Sequence, residues 1–389
     1  MENLSMERIC ACALGHIFGY QPKYSAELVA RYGSAEAVFA LDKEELDELF
    51  GHYSKYKGAV NERALDEACR ELDSLYARGY QFVALSEDDF PALLRECTDP
   101  PAGLYVRSGN PVSEIFNTRP TVSIVGTRDI SPYGKEWCPK IVRALAGTSD
   151  RPSIVSGLAI GVDICAQMAA LAYGLPTIGV MATGIDTIYP RCHSTAAGKI
   201  AAATGSALVS DYPPGTQPMA VNFLRRNRII AGMSGTTILV ESREKGGGMM
   251  TARLAAGYGR EVFAVPGRME DKFSKGCNAL IGEKVAEPLP DPSLLAESIG
   301  LTTPKRFQAP GVADGIRERH SGEIPEEDIL KLIMVAGLVR NNPLVTGDEL
   351  CRESNLPFME ITRCISILES DGFIETDLLG RCTIHGKFM

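Results

Sequence analysis

Short apolar runs of strand length alternate with alanine-rich helical stretches from about residue 121 onwards. The runs are TVSIVG, SIVSG, TIGVMA, ALVSDY, TTILVE and EVFAVPG, and nearly every position in them is apolar. Strands of this kind are buried on both faces, and the helical stretches between them serve as crossovers. The pattern predicts an α/β fold with a Rossmann-like, doubly wound, mostly parallel sheet.

The regions on either side have helical patterns. Residues 1–75 hold short segments bounded by Gly, Pro or N-cap residues, which predicts a helical bundle of the SAM or helix-hairpin-helix kind. A stretch rich in Pro and Gly at 286–322 predicts a linker. Residues 323–389 hold three helical patterns and two strand patterns, which is typical of a winged helix. The Rossmann-like domain is thus expected at 76–285.

Composition places the chain among globular proteins. Its 389 residues suggest several domains, and 45% are hydrophobic and 23% charged. No apolar run is long enough to cross a bilayer, and the 11 cysteines contain no CxxC pair. We therefore expect a cytoplasmic protein with reduced thiols, no membrane contact and no cofactor or metal. The adjacent Cys192 and His193 supply only two of the four ligands that zinc takes.

Charge is unevenly distributed along the chain. The formal net charge is -9, yet residues 81–290 carry 21 basic and 19 acidic side chains, so the acidic excess lies in the flanking regions. The middle of the chain is therefore where an anionic ligand is repelled least.

Loops that follow the predicted strands carry the candidate binding residues. In an open α/β sheet, ligands bind outside the carboxyl ends of the strands. Glycines at such loops let the backbone approach an anion, and guanidinium groups suit phosphate. The spacing differs from the dinucleotide fingerprint, so NAD binding is not expected. The candidates in these loops are Arg128, Ser156, Gly157, Lys245, Gly246, Gly247 and Gly248.

A basic cluster stands in the segment FLRRNRIIAG, after the fourth strand. A helix here would turn Phe223, Ile229 and Ile230 towards the sheet. Its polar residues would lie off that face or at its border: Arg225, Arg226, Asn227 and Arg228. We expect these guanidinium groups to bind phosphate, with Arg228 as the first contact.

Seven motifs occur in the order found in one bacterial family. They are IVGTRDISPYG, IVSGLAIGVD, GLPTIGVMATGIDTIYP, SDYPPGTQP, FLRRNRIIAG, LVESREKGGGMMTA and VFAVPGRMEDKFSKGCNALI. Together they resemble the DNA-processing protein A (DprA, or Smf) family over roughly residues 75–285. One departure is Gln167, which stands where the family usually has histidine.

The resemblance implies a function and a set of site residues. It implies a protein without catalytic activity that binds single-stranded DNA, protects incoming strands during natural transformation and loads RecA recombinase onto strands covered by single-strand-binding protein. It also implies a homodimer of the Rossmann-like domain. The DNA pocket would be formed by Arg128, Ser156, Gly157, Phe223, Arg225, Arg226, Asn227, Arg228, Lys245, Gly246 and Gly247.

Two other functions compete with this hypothesis. MSGTTILVE, which contains Glu241, resembles part of the motif of lysine-decarboxylase-like enzymes that cleave nucleotides, although the first half of their glycine-rich turn is missing. Transcriptional control through the winged helix is the other. Its presumed recognition helix carries Glu360, Glu369 and Asp371 against Arg363, which favours docking to a partner over binding to duplex DNA.

Overall fold

The computed structural model divides the chain into two compact units, residues 1–303 and 304–389. No helix in the part of the chain that the structure describes is long and apolar enough to cross a membrane. The residues described are 4–19, 21–51, 54, 56, 58–289, 291–302, 312–322, 324–342, 345–354, 356–377 and 380–384.

Five helices at the start of the first unit form the predicted bundle. They are α1 (Met6–Phe18), α2 (Pro22–Tyr32), α3 (Ala35–Phe39), α4 (Lys43–Phe50) and α5 (Glu62–Ala77). Side chains satisfy the N–H groups at the helix starts, as where Ser34 accepts from Ala37 and where Asp42 forms a capping box with Glu45. The prediction of a helical N-terminal region is confirmed.

A nine-stranded sheet lies at the centre of the first unit. Its strands are β1 (Gln81–Ala84), β2 (Gly103–Arg107), β3 (Thr121–Val125), β4 (Ser153–Ser156), β5 (Thr177–Val180), β6 (Ala207–Ser210), β7 (Thr236–Leu239), β8 (Glu261–Ala264) and β9 (Glu287–Pro288). Their order is β1-β2-β6-β5-β4-β3-β7-β8-β9, parallel from β6 to β9, whereas β2 pairs antiparallel with both neighbours. All six predicted strands are present, and β1, β2 and β9 are additional.

Helices cover both faces of this sheet. They are α6 (Ala92–Arg95), α7 (Pro132–Ala146), α8 (Val162–Ala172), α9 (Ser194–Ala202), α10 (Ala220–Gly232), α11 (Gly247–Gly257), α12 (Lys275–Gly282) and α13 (Leu295–Ser298). Ile238 of β7 packs in one apolar cluster with Ile141 of α7, and Leu239 packs in another with Ile230 of α10. Because successive strand residues face opposite sides, the two clusters lie on opposite faces. The doubly wound fold is confirmed.

The direction of winding reverses beside β3. The chain runs from β3 through β4, β5 and β6 on one side, and then places β7 and β8 on the other side. Loops at such a reversal leave a crevice at the carboxyl ends of the strands. Here the two loops are joined by one backbone hydrogen bond of 2.8 Å, which the N–H of Thr127 donates to the carbonyl of Glu241.

The predicted linker at 286–322 differs from the structure. Leu289, Leu295 and Leu301 are buried in the core of the first unit. Ile316 is buried in the second unit, and residues 303–311 lie outside the described part. The interpretation as a linker was wrong for most of this range, because prolines there begin short elements, as Pro292 does, that still bury one or two apolar side chains each.

The second unit contains four helices and a small sheet among its described residues. They are α14 (Val312–His320), α15 (Glu326–Asn341), β10 (Val345–Thr346), α16 (Gly347–Ser354), α17 (Phe358–Ser370), β11 (Ile374–Thr376) and β12 (Arg381–Ile384). The antiparallel strands have the order β10-β12-β11. From α15 onwards the order of elements is that of a winged helix, as predicted. In α17, Arg363 lies 3.6 Å from Asp328, so its charge is partly offset within the unit.

Candidate functional site

A cavity of about 630 Å³ opens at the carboxyl ends of β3 and β7, where the winding of the sheet reverses. The loops after these strands and the first turns of α10 and α11 form its walls. Eight of the predicted residues line it: Arg128, Phe223, Arg226, Asn227, Lys245, Gly246, Gly247 and Gly248. Ser156, Gly157, Arg225 and Arg228 lie outside this lining.

Glycine is required where these loops pack against each other. A Cβ on Gly248 would lie 2.8 Å from the side chain of Leu239 and 3.0 Å from Cα of Gly126. A Cβ on Gly126 would lie 2.8 Å from the carbonyl oxygen of Glu241. These distances are shorter than van der Waals contacts, so only glycine lets the start of α11 approach the end of β3 this closely.

The N-terminus of α11 borders the cavity. Its N-cap is Gly246, and no side chain caps the helix there. The first N–H groups of a helix have no intrahelical partner and carry partial positive charge, so they suit an anion. Lys245 is exposed and lines the same wall. This wall therefore offers backbone donors and an ammonium group side by side.

An exposed cation and two aromatic rings meet elsewhere in the cavity lining. Cζ of Arg128 lies 5.1 Å from the centroid of the Phe223 ring. That ring lies 5.4 Å from the ring of Tyr189, at an interplanar angle of 56°. Tyr189 is 44% exposed and lines the cavity. The guanidinium can bind a phosphate while a ring face beside it stacks on a planar base.

Arg226 is buried beneath the cavity instead of pointing away from the sheet, so that prediction was wrong. Its Nη1 donates to the carbonyls of Gly157 and Val180, at the ends of β4 and β5. Burial lowers the pKa of Arg226, whereas the charge of Asp163 acts in the opposite direction. Burial also raises the pKa of Asp163, whose carboxylate accepts the N–H of Gly157 at 3.1 Å. Arg226 therefore holds the floor of the cavity in place.

Gly157 is needed beneath this guanidinium. A Cβ at Gly157 would overlap Nη1 and Cζ of Arg226. Ser156 is fully buried, and its hydroxyl donates to the carbonyl of Ile124 at 2.7 Å. Both residues therefore support the site from behind, and the expectation that they line the pocket is corrected: the strand end turns their atoms into the protein interior.

The prediction for Arg228 also needs correction. Its guanidinium lies 2.5 Å from the carboxylate of Asp211, and the two side chains are 9% and 8% exposed. It donates in addition to the carbonyl of Asp99. The expectation that Arg228 makes the first contact with an anion therefore conflicts with its burial in an internal ion pair. Arg225 is half-buried and lies outside the cavity lining.

Asn227 is a further predicted residue on α10. Asn227 lines the cavity, and its amide nitrogen lies 3.5 Å from the carbonyl of Gly247, at the limit of a hydrogen bond. Gln167, the departure from the family pattern, is outside the cavity lining: its side chain is fully buried, and its amide donates to the carbonyl of Ile178 at 3.4 Å.

Among the lining residues outside the predicted set, two have exposed side chains that suit a nucleic acid. Tyr189 follows β5 in the loop TGIDTIYP, and Arg243 follows β7. Arg243 is exposed, pairs with Asp129 at 3.2 Å and lies 5.5 Å from the ring of Phe273. The sequence feature that could have identified Tyr189 and Arg243 is their position after parallel strands, whose carboxyl ends share one edge of the sheet. A single Tyr or Arg in a turn is too common to identify a site by itself.

Glu241 is turned away from the cavity. It is buried, and its carboxylate accepts both the N–H and the hydroxyl of Ser131, the former at 3.0 Å. A Cβ on Gly134 would overlap this carboxylate, so the packing behind it is tight. Glu241 therefore serves as an acceptor for the N-cap residue of α7, with both oxygens engaged.

Fold and cavity together define a Rossmann-like protein whose sheet reversal holds a cationic, aromatic and glycine-rich site. The chain belongs to the family of DNA recombination-mediator protein A, whose family model matches residues 81–300.

Relatives and solved structures are similar to the chain over much of its length. Protein Smf of Synechocystis sp. is 36% identical over 225 residues, which is 58% of this chain and 56% of that protein, so the match spans little more than half of this relative. DNA processing protein DprA of Streptococcus pneumoniae is 33% identical over 239 residues, covering 60% of this chain and 82% of the relative.

The X-ray structure of DprA from Streptococcus pneumoniae superimposes with a TM-score of 0.63 at 29% identity, covering 76% of this chain and 98% of that one. The structure of DprA from Helicobacter pylori, described as showing a single-stranded DNA binding mode, covers 57% and 95%, with a TM-score of 0.50 and 30% identity.

Proposed function

We propose that the protein binds single-stranded DNA in the cavity at the sheet reversal. The observation that carries the proposal is the exposed Arg128 guanidinium above the Phe223 ring, in the same cavity as the glycine N-terminus of α11. Phosphate and base each have a partner in this arrangement, and a ring face accepts any base. The DprA structure from Helicobacter pylori, described as showing a single-stranded DNA binding mode, supports the same ligand.

The site residues divide into two groups in this proposal. Arg128, Lys245 and the N–H groups of Gly246 and Gly247 bind phosphates, Phe223 stacks on a base, and Asn227 borders the strand. The second group supports the cavity from within the protein: Ser156, Gly157, Arg226 and Arg228. Arg225 is half-buried on the same helix, outside the cavity lining.

A salt series tests the proposal. Single-strand binding loses affinity with a log-log slope of about -0.7 for each phosphate neutralised. We expect Arg128→Ala to flatten that slope by about 0.7 in fluorescence anisotropy with labelled oligo-dT. Lys140→Ala is the matched control, because Lys140 is 52% exposed and pairs with Glu136 on α7, outside the cavity lining. An affinity that ignores salt, or an equal effect of both variants, would contradict the proposal.

The protein is proposed to bind DNA without catalysis. The nucleotide-cleaving alternative needs a carboxylate at the substrate, and the carboxylate of Glu241 is occupied by Ser131 behind the cavity wall. Incubation with nucleoside monophosphates should therefore release no free base. Release that is lost in Glu241→Gln would revive the enzyme hypothesis.

Membership of the family supports further proposals about partners. We infer that the protein acts in the cytoplasm as a homodimer, protects incoming strands and loads RecA recombinase onto DNA covered by single-strand-binding protein. Loading would appear as recovery of the DNA-dependent ATPase activity of RecA on covered strands, and this recovery should fall in Arg128→Ala. A sedimentation experiment that finds only monomers at assay concentrations would contradict the proposed homodimer.

A further inference from the structure

A cluster of a thiol, an imidazole and a carboxylate lies in the N-terminal bundle, among residues that the proposed DNA binding does not use. Cys12 and His16 are four residues apart on α1, so they share one face of the helix, and Glu71 reaches them from α5. Their ligand atoms, Sγ, an imidazole nitrogen and a carboxylate oxygen, all lie within 4.8 Å of one another.

Distances within the cluster are close to those of a coordination shell. Sγ of Cys12 lies 3.4 Å from Oε1 of Glu71, and Nε2 of His16 lies 3.1 Å from the same carboxylate. With zinc bonds of about 2.0 to 2.3 Å, ligand atoms of a tetrahedral site lie about 3 to 4 Å apart. The largest separation in the cluster is at most 4.8 Å, and the half-exposed imidazole has room on its solvent side to move towards a shared ion.

The carboxylate is already oriented by a residue of the sheet. The hydroxyl of Tyr105 on β2 donates to Oε1 of Glu71 at 2.6 Å, and Tyr105 is 4% exposed. Metal-binding carboxylates are commonly held by hydrogen bonds of this kind from a second layer of residues. Cys12 is 1% exposed, so its sulfur is buried in the protein interior.

The solvent side of the cluster is open. A cavity of about 550 Å³ is lined by both His16 and Glu71. It is also lined by Glu67, one turn before Glu71 on α5, which pairs with the exposed Arg63 at 2.9 Å. An ion held by three protein ligands would thus have a fourth position that water or the Glu67 carboxylate can occupy.

We propose that Cys12, His16 and Glu71 form a binding site for one divalent transition-metal ion of the zinc type. The ligand set of one sulfur, one nitrogen and one oxygen favours a borderline ion such as Zn²⁺ over Mg²⁺ or Ca²⁺, which prefer oxygen alone. Because the ligands come from α1 and α5, a bound ion would join these two helices, and the hydrogen bond from Tyr105 to Glu71 would connect the site to β2 of the sheet. This role is structural and independent of DNA binding.

Cobalt provides a direct test on the full-length protein after treatment with a chelator. One equivalent of Co²⁺ should produce tetrahedral d–d bands and a thiolate-to-cobalt charge-transfer band, and one equivalent of Zn²⁺ should abolish both. Zinc should also raise the Tm, because an ion that binds only the folded state stabilises it.

Variants separate this site from other thiols. Cys12→Ser should remove the charge-transfer band, and His16→Gln should remove tight uptake while leaving the fold intact, since the His16 side chain is 41% exposed. Cys192→Ser is the matched control, because Cys192 is an exposed thiol next to another histidine, and it should behave as the parent protein. No stoichiometric uptake by the parent protein, or full uptake by His16→Gln, would overturn the proposal.

Discussion

Replacement of Arg228 by methionine separates a structural arginine from one that binds DNA. Methionine keeps much of the apolar stem and removes the guanidinium that lies 2.5 Å from Asp211. Both side chains are less than one tenth exposed, and Oδ1 of Asp211 has no hydrogen-bond partner among the described residues. The variant leaves a buried carboxylate without its cation and the carbonyl of Asp99 without one donor. Loss of one partner of a buried ion pair costs about 3 to 5 kcal/mol.

Trp137 provides the assay for this effect. It is the single tryptophan of the chain and lies on α7 in the first unit, so its fluorescence in urea follows the unfolding of that unit. We expect Arg228→Met to lower the free energy of unfolding by about 3 to 5 kcal/mol. Adding Asp211→Leu should recover a large part of this loss, because an apolar pair of similar volume needs no charge partner.

The salt dependence of DNA binding, unlike the stability, should not change in Arg228→Met. At temperatures where Arg228→Met is folded, the slope of log affinity against log salt should match that of the parent protein, since no phosphate contact is lost. Arg63→Met is the control for stability: Arg63 is 86% exposed and pairs only with Glu67 among the described residues, so the change should be close to the error of the method. A stable Arg228→Met variant whose salt slope falls by about 0.7 would refute the structural role.

Three further predictions concern other residues of the first unit. Gly157→Ala should destabilise the protein and weaken DNA binding, because the added Cβ overlaps Arg226. Gly198→Ala on α9 is the control: no atom lies within 4 Å of its added Cβ, so it should stabilise the protein by up to about 1 kcal/mol. Urea unfolding measures both effects. Phe223→Ala should weaken binding to oligo-dT by about 1 to 3 kcal/mol with an unchanged salt slope, and a changed slope would contradict stacking. A hydrogen bond from Cys138 lowers the pKa of Cys165 to about 7, so its thiolate forms as the pH rises through 7; iodoacetamide should then label Cys165 near neutral pH, and an equal rate in Cys138→Ala would refute that cause.

The sheet could be predicted because its chemistry is local. Each of the six parallel strands that were expected is a short run apolar on both faces, as burial between helix layers requires. β1 (Gln81–Ala84) and β2 (Gly103–Arg107) were not predicted. They are only four and five residues long, begin or end with a polar residue, and lie among turns. The short elements after Glu287 were hidden for a similar reason: their prolines suggested a linker.

The site was predicted less completely, because the sequence gives proximity along a helix but not burial. Arg225, Arg226 and Arg228 look equivalent in FLRRNRIIAG, yet each has a different environment in the structure. The partners that bury two of them, the carbonyls of Gly157 and Val180 and the carboxylate of Asp211, are supplied by distant segments. The strand-end pattern and the resemblance to a family both pointed to the region, but neither distinguished binding arginines from structural ones.

The cavity walls come from five separated segments, near residues 128, 163, 189, 223 and 245. None of these segments forms a partial site by itself, since the carboxyl ends of β3, β5, β6 and β7 must be aligned before the rings and cations meet. We therefore expect a chain that lacks one of these segments to bind single-stranded DNA weakly. A bound DNA strand would contact parts of the chain that are over one hundred residues apart. It would therefore stabilise the folded sheet against local opening at the point where its winding reverses.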